Sequence, residues 1–256
     1  MLPTPCYVLS DAHLGTAPPD TEPALVSVLA QARREAKSVV LNGDIFDFWF
    51  EWKSVIPRTG VRTLAAIAAL ADAGIPVLWI AGNHDCWGGD FLTEEIGVTF
   101  HVDAWRGAIG DWTTLIEHGD GLRDKEDAPY RRLRAVLRHP WAIWSFRHLL
   151  HPDFATRIAM KSSRTSRHSR PRDGGEGLRR VAEARLASDP SLDLYLYGHS
   201  HVRTLARIAS GQVYANPGAF LDEPTFLRLT DETIDGCRLE GDRPTVLSSE
   251  ARRPTR

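Results

Sequence analysis

Five short apolar runs in the chain each stop at a cluster of polar residues that make good metal ligands. They read CYVLS before Asp11-Ala12-His13, SVVLN before Gly43-Asp44, VLWIA before Gly82-Asn83-His84-Asp85, TTLIE before His118-Gly119-Asp120, and LYLY before Gly198-His199-Ser200-His201. Runs this short, rich in Val, Ile, Leu and aromatics, have the pattern of strands buried on both faces. In open α/β folds the ligand crevice lies beyond the carboxyl ends of such strands, so five of them can deliver their last residues to one place. Side chains two apart at a strand end point to the same side, which lets Asp11 chelate with His13 and His199 with His201. Each pair alone is a weak signal, since a lone histidine is more often structural than a ligand. The ordered set of five, each after a strand pattern, is a strong one.

Between the first three runs lie helical patterns. Glu22 to Ala36 carries Leu25, Val28 and Leu29 on one face, and Arg62 to Ala73 repeats this in an Ala-rich form before the stop signal at Gly74. Strand and helix alternating in this way imply right-handed crossovers and a largely parallel sheet. From Val98 to His118 the strands become shorter, with turns at Gly107 and Gly110-Asp111. Further strands are expected over Val202–Ile208, Gln212–Ala215, Phe226–Leu229 and Thr233–Leu239, so a mixed sheet or two packed sheets fits better than a purely parallel one. The last dozen residues, polar and Pro-containing, are expected to form a frayed tail.

The 256 residues fit one α/β domain over 1–256, with a helical cap inserted over 123–172. Tyr130–Arg138, Trp141–Leu150 and Phe154–His168 read as three helices separated by His139-Pro140 and His151-Pro152. Arg157, Lys161, Arg164 and His168 share one face of the third helix. Trp141, Trp144, Phe146, Leu149 and Leu150 either pack the cap onto the body or line a groove or membrane surface, with packing the default. The chain carries a net charge of −2, yet 123–172 holds thirteen Lys or Arg against four Asp or Glu, which leaves −11 for the rest. Such a segment points to a local anionic partner, the alternative being a solvated helical surface.

No stretch approaches the roughly 18 apolar residues of a spanning helix, and the start lacks the basic-then-apolar pattern of a signal peptide, so a cytoplasmic location is expected. Three cysteines without CxxC spacing suit a reducing compartment, and Cys86 reads as a packed thiol.

These motifs, in this order, resemble the calcineurin-like metallophosphoesterase superfamily, from Asp11 through Gly198-His199-Ser200-His201 and beyond. The resemblance implies a metallophosphoesterase-type sandwich of two mixed β-sheets flanked by helices. It implies that Asp11, His13 and His201 bind one divalent ion, that Asn83, His118 and His199 bind the other, and that Asp44 bridges both. A donor set without thiolate suits Mn²⁺, placed first here, or Fe²⁺ or Zn²⁺. Two adjacent cations lower the pKa of water and polarise phosphoryl oxygens, so no protein nucleophile is required. His84 would stabilise the transition state or protonate the leaving oxygen, aided by Asp85, with ordering of the loop as the alternative role. Asp120 reads as a supporting or turn residue.

One branch is closer still. GDIFDFWF from Gly43, HGDG from His118 leading into the basic segment, and WSFRHLLHP from Trp144 are similar to the UDP-2,3-diacylglucosamine pyrophosphatases of lipid A biosynthesis. These are peripheral inner-membrane enzymes whose cap holds acyl chains. The resemblance implies attack of water on the α-phosphate to give UMP and 2,3-diacylglucosamine 1-phosphate. It also implies substrate contacts at Asn83, Asp127, Tyr130, Arg157 and Lys161. Two departures stand out: that branch carries Arg where this chain has His84, a change of charge and reach, and Ser200 replaces a commoner Thr. The competing readings are a broader phosphodiesterase or phosphatase, a catalytically dead scaffold, which the intact ligand set argues against, and nucleic-acid binding, which the overall acidic balance argues against.

Overall fold

The computed structural model describes residues 1–161, 173–241 and 243–254, together with the backbone of 162–168. β1 (Cys6–Leu9), β2 (Ser38–Asn42) and β3 (Val77–Ile80) are parallel neighbours, joined by crossover helices α1 (Thr21–Glu35) and α2 (Val61–Asp72). The period of two along the strands sorts their side chains between two cores. Tyr7, Leu9, Val39, Leu41 and Trp79 turn towards the helices and meet Leu25, Leu29, Leu64 and Ile67. Cys6, Val8, Val40, Leu78 and Ile80 turn the other way, into a core shared with a second sheet. Burial on both faces is why these runs read as continuous apolar segments rather than as alternating ones.

β4 (Thr99–His101) extends this sheet in parallel. The second sheet is built from β5 (Trp105–Ile109), β6 (Trp112–Ile116), β7 (Leu194–Leu196), β8 (Thr204–Arg207) and β9 (Val213–Asn216), in the order β5-β6-β7-β9-β8. β10 (Thr225–Leu229), β11 (Thr233–Glu240) and β12 (Arg243–Ala251) return antiparallel to the first sheet, giving β12-β11-β10-β1-β2-β3-β4. Between β6 and β7 come α3 (Ala128–Leu137), α4 (Pro140–Leu149), α5 (Pro152–His168) and α6 (Glu176–Ser188). α6 lays Leu178, Ala182 and Leu186 on the outer face of the second sheet, against Tyr195, Tyr197 and Tyr214. The result is the expected α/β sandwich of two mixed sheets with helices outside.

The structure corrects three readings and adds one helix. The expected frayed tail is largely a strand: β12 pairs with β11 from Glu240 opposite Arg243 to Thr233 opposite Ala251. Its polar, Pro-containing sequence belongs to an edge strand, where Pro244 is tolerated. Trp141, Trp144 and Leu149 do not pack; they are 70%, 52% and 69% exposed. Phe146 does meet the body, its ring centre 4.8 Å from that of Phe50. Helix α6 escaped notice because arginines and alanines dilute its apolar positions. The His-Pro pairs prove to be starts rather than interruptions. Pro140 and Pro152 open α4 and α5, and the preceding His139 and His151 accept a hydrogen bond through Nδ1 from Trp141 N and Asp153 N. Of the basic face on the third helix, the side chains of Arg164 and His168 lie outside the described residues.

Candidate metal centre

All five ligand clusters follow the C-terminal ends of strands, three from the first sheet (β1, β2, β3) and two from the second (β6, β7). What aims the side chains is the backbone just beyond those ends, not the pleat. Asp11, His13, Asp44, His199 and His201 all have positive φ, between 44° and 60°. This left-handed region is uncommon for any residue but glycine, although Asp and His enter it more readily than most. β1 stops at Leu9, so the Asp11–His13 pair owes its common direction to two left-handed residues rather than to strand geometry. Glycines supply the remaining room. A Cβ on Gly43 would overlap the His118 ring, and one on Gly82 would overlap the Asp44 carboxylate.

Three overlapping groups of potential ligand atoms result among the described residues, each drawn together within 4.8 Å: Asp11, His13 and His201; His13, Asp44 and His84; and Asp44, His118 and His199. Within the first, His201 Nε2 is 3.3 Å from Asp11 Oδ1 and 3.2 Å from His13 Nε2. Asp44 joins the groups, because its Oδ2 is 3.2 Å from His118 Nε2 and 3.7 Å from His13 Nε2. Its other oxygen accepts from the His84 backbone N–H at 2.9 Å. Ligand atoms bound to one cation at about 2.0–2.2 Å lie roughly 3 Å or slightly more apart, the spacing seen here. Asn83 faces the cavity beside the site, and its Oδ1 is buried without a hydrogen-bond partner. Buried acceptors of that kind are costly unless something binds them. The residues present therefore fit a pair of divalent cations.

Hydrogen bonds behind the ligands fix which nitrogen faces inward, the usual arrangement around metal-binding histidines. His118 Nδ1–H donates to Asn42 O at 2.8 Å, leaving Nε2 towards Asp44. His13 Nδ1 lies 3.4 Å from the buried Asp47 Oδ1. His84 Nδ1–H donates to the Asp47 carbonyl at 3.0 Å, and its ring centre is 4.9 Å from that of His13. Asp47 is thus the residue that sequence reasoning missed, although GDIFD places it three positions after Asp44. Asp85, the acid expected to aid His84, spends both oxygens on backbone: Oδ1 accepts from Gly82 N at 2.8 Å and Oδ2 from Ile45 N at 2.9 Å. It ties the Asn83-His84 loop to the Asp44 loop and makes no side-chain hydrogen bond to the imidazole. Asn216, also missed, ends β9 and holds the last motif by donating to Gly198 O and Ser200 Oγ, each at 2.9 Å.

Of the remaining expected contacts, Asp127 is buried and accepts from the Arg123 backbone and guanidinium, the closest approach being 2.6 Å to Nη2. Tyr130 lines the cavity with its ring and donates to Asp120 Oδ2 at 2.8 Å. Arg157 and Lys161 are exposed. Cys86 is buried, and burial pushes its thiol up to about 12, so it is inert packing.

The calcineurin-like phosphoesterase family model matches residues 4–203. The chain belongs to that family. It is a metal-dependent phosphoric ester hydrolase. A Porphyromonas gingivalis protein named UDP-2,3-diacylglucosamine hydrolase is 32% identical over 217 residues, covering 77% of this chain and 82% of its own. A Shewanella piezotolerans protein of the same name is 23% identical over 230 residues, covering 89% and 94%. Among solved structures, a dimetal phosphatase from Danio rerio is 13% identical with a TM-score of 0.48, covering 90% of this chain and 94% of that one.

Electrostatics divide the imidazoles. Burial draws His199 down to about 4 and also lowers His13, so both stand neutral and ready to coordinate. Burial would lower His118 too, but the Asp44 carboxylate outweighs it and holds His118 well above the usual histidine range. A proton on His118 thus occupies part of the place a cation would take. Its stabilisation of the metal-free fold is complete below the unfolded histidine value and is lost as pH rises through the folded one. Metal uptake at neutral pH must displace that proton. Titration calorimetry with Mn²⁺ in buffers of different ionisation enthalpy should show release of about one proton per chain, with affinity rising as pH rises. Heats independent of buffer and affinity independent of pH would contradict this.

Proposed function

We propose that the protein hydrolyses the diphosphate of UDP-2,3-diacylglucosamine, giving UMP and 2,3-diacylglucosamine 1-phosphate, with two divalent cations of which Mn²⁺ is our first choice. The observation that carries this reading is an apolar cavity of about 260 Å³ that begins at Asn83 and His84 and runs between Phe48 and Phe50 on one side and Leu137, Ile143 and Phe146 on the other. A phosphate ester at the metal ligands would place an apolar appendage in it. A small nucleotide or phosphoprotein substrate has no use for such a wall, whereas an acylated sugar does. The names of the curated relatives support the same substrate.

When bound at Asp11, His13 and His201 and at Asn83, His118 and His199, with Asp44 between, two divalent cations activate water and polarise the phosphoryl oxygens. The chain's own groups do the rest. Asp47 holds Nδ1–H of His84 through its carbonyl, so Nε2 is left for the site, and in the imidazolium form, protonated on both nitrogens, it would give its proton to the departing oxygen and revert to the neutral ring. Asp85 keeps that loop beside Asp44 through the backbone. Segment 123–172 acts as a cap in this reading, with Arg157 and Lys161 supplying positive charge for the diphosphate.

Incubating the enzyme with this lipid in ¹⁸O water and weighing the products tests the reaction. Label in UMP is expected, from attack on the α-phosphorus. Label in the sugar phosphate contradicts that regiochemistry, and hydrolysis of small diesters without any turnover of the lipid leaves the broader phosphodiesterase reading in its place. Alanine at Arg157 and Lys161 should raise KM with little change in kcat; an unaltered KM removes them from substrate binding.

The same segment supports a place at the cytoplasmic face of the inner membrane. Among the described residues no helix is long and apolar enough to cross a membrane. Trp141, Trp144, Leu149 and Phe154 are each more than half exposed, on a segment whose charge is strongly positive. Exposed aromatics with cations suit an anionic lipid surface. Vesicles containing phosphatidylglycerol should sediment the protein, and alanine at Trp141 and Trp144 should release it. Recovery of wild type and variant alike in the supernatant would sink the membrane proposal.

A further inference from the structure

Helix α3 poses a problem of attachment. None of its side chains is fully buried, and Leu133 and Val136 are 51% and 61% exposed. Apolar burial, which supplies most of the stability of short helices in proteins, therefore contributes little here. The contacts that hold α3 are largely polar, and one buried residue, Asp120, takes three of its side chains, while Arg131 also donates to Arg123 O and Arg138 to Val102 O. Tyr130 donates to Asp120 Oδ2 at 2.8 Å, Arg134 Nη1 lies 3.3 Å from the same oxygen, and Arg138 Nη2 lies 3.9 Å from it. Arg134 Nη1 also donates to the Asp120 carbonyl at 3.0 Å, and Arg131 donates to Gly121 O at 3.2 Å.

Asp120 is itself buried, 4% exposed, yet it belongs to none of the three groups of potential metal-ligating atoms. It stands two residues after His118. On the far side of its hydrogen bond, the Tyr130 ring forms part of the cavity wall with Leu133 and Leu137. The carboxylate therefore connects a ligand loop to the surface that faces the substrate. Removing its charge would leave the phenol hydroxyl without its anionic acceptor and the two guanidiniums with only the exposed Asp103, 3.9 Å from each, which weakens the contact more than loss of one neutral hydrogen bond.

We propose that Asp120 is a positioning residue for hydrolysis. Its carboxylate holds α3, and with it the Tyr130–Leu133–Leu137 wall, in register with the His118 loop. Only the acylated ligand in this proposal rests on the substrate reading above; the attachment itself does not.

Two variants approach the contact from opposite sides: Asp120→Asn keeps size and removes charge, and Arg134→Gln removes the helix's cation. Hydrogen exchange over amides 128–137 should quicken about ten-fold or more in each, with no change over 176–188. KM for UDP-2,3-diacylglucosamine should rise about ten-fold, while kcat on bis(p-nitrophenyl) phosphate stays within about two-fold of wild type. The double variant should be no worse than the worse single one, because both changes break the same contact. Unaltered exchange over α3 would overturn the proposal. So would an equal fall of kcat on both substrates, which would put Asp120 in the metal centre itself. Should wild type ignore the acylated substrate, the substrate reading fails, and the exchange and diester measurements still decide the role of Asp120.

Discussion

Asp44 carries the arrangement. One of its oxygens faces His13 and His118 at 3.7 and 3.2 Å, and the other is fixed by the His84 amide. Burial alone would raise this carboxyl, but the His118 imidazole beside it outweighs burial and holds it well below the usual range. A second buried carboxylate, Asp11, is brought down to about 2 against its own burial, chiefly by His201. Two anions so close inside a protein require positive charge between them, from protons or from metal ions. The left-handed backbone at five of the ligand residues adds strain of about 1–3 kcal/mol each, which chains retain where a function depends on it.

The rest of the molecule follows from bringing those residues together. Parallel strands place β1, β2 and β3 side by side with their carboxyl ends at one edge, and packing the second sheet against them adds the ends of β6 and β7. The inter-sheet core of Val8, Val40, Leu78, Ile116 and Leu196 sets how closely the two sets of loops approach. Glycines 43 and 82 then permit contact distances that any Cβ would forbid. The apolar cavity begins where this polar centre ends, and His84 and Asn83 stand at the boundary between them.

Much of this was legible in the sequence, for identifiable reasons. Strands buried on both faces announce themselves by composition, so β1, β2, β3, β6 and β7 were read together with the ligands that follow them. The direction of those ligands has a different cause from the one the sequence suggests: alternation along a strand implies chelating pairs, whereas left-handed residues beyond the strand create them. Contacts through space left weaker traces. Nothing in the spacing of Asp47 distinguishes a residue that orients two histidines from one that merely ends a turn. Asn216 announces itself only by closing a strand. The edge strand β12 looked like a tail because an edge needs few apolar residues. The exposure of Trp141 and Trp144 was not decidable from helical spacing, since the same face suits packing or solvent.

Anomalous diffraction from crystals grown with Mn²⁺ addresses the centre directly. Two peaks are predicted, one bonded to Asp11, His13 and His201 and one to Asn83, His118 and His199, with Asp44 in contact with both. A single peak, or none among these seven side chains, would contradict the dinuclear account and the hydrolytic chemistry built on it.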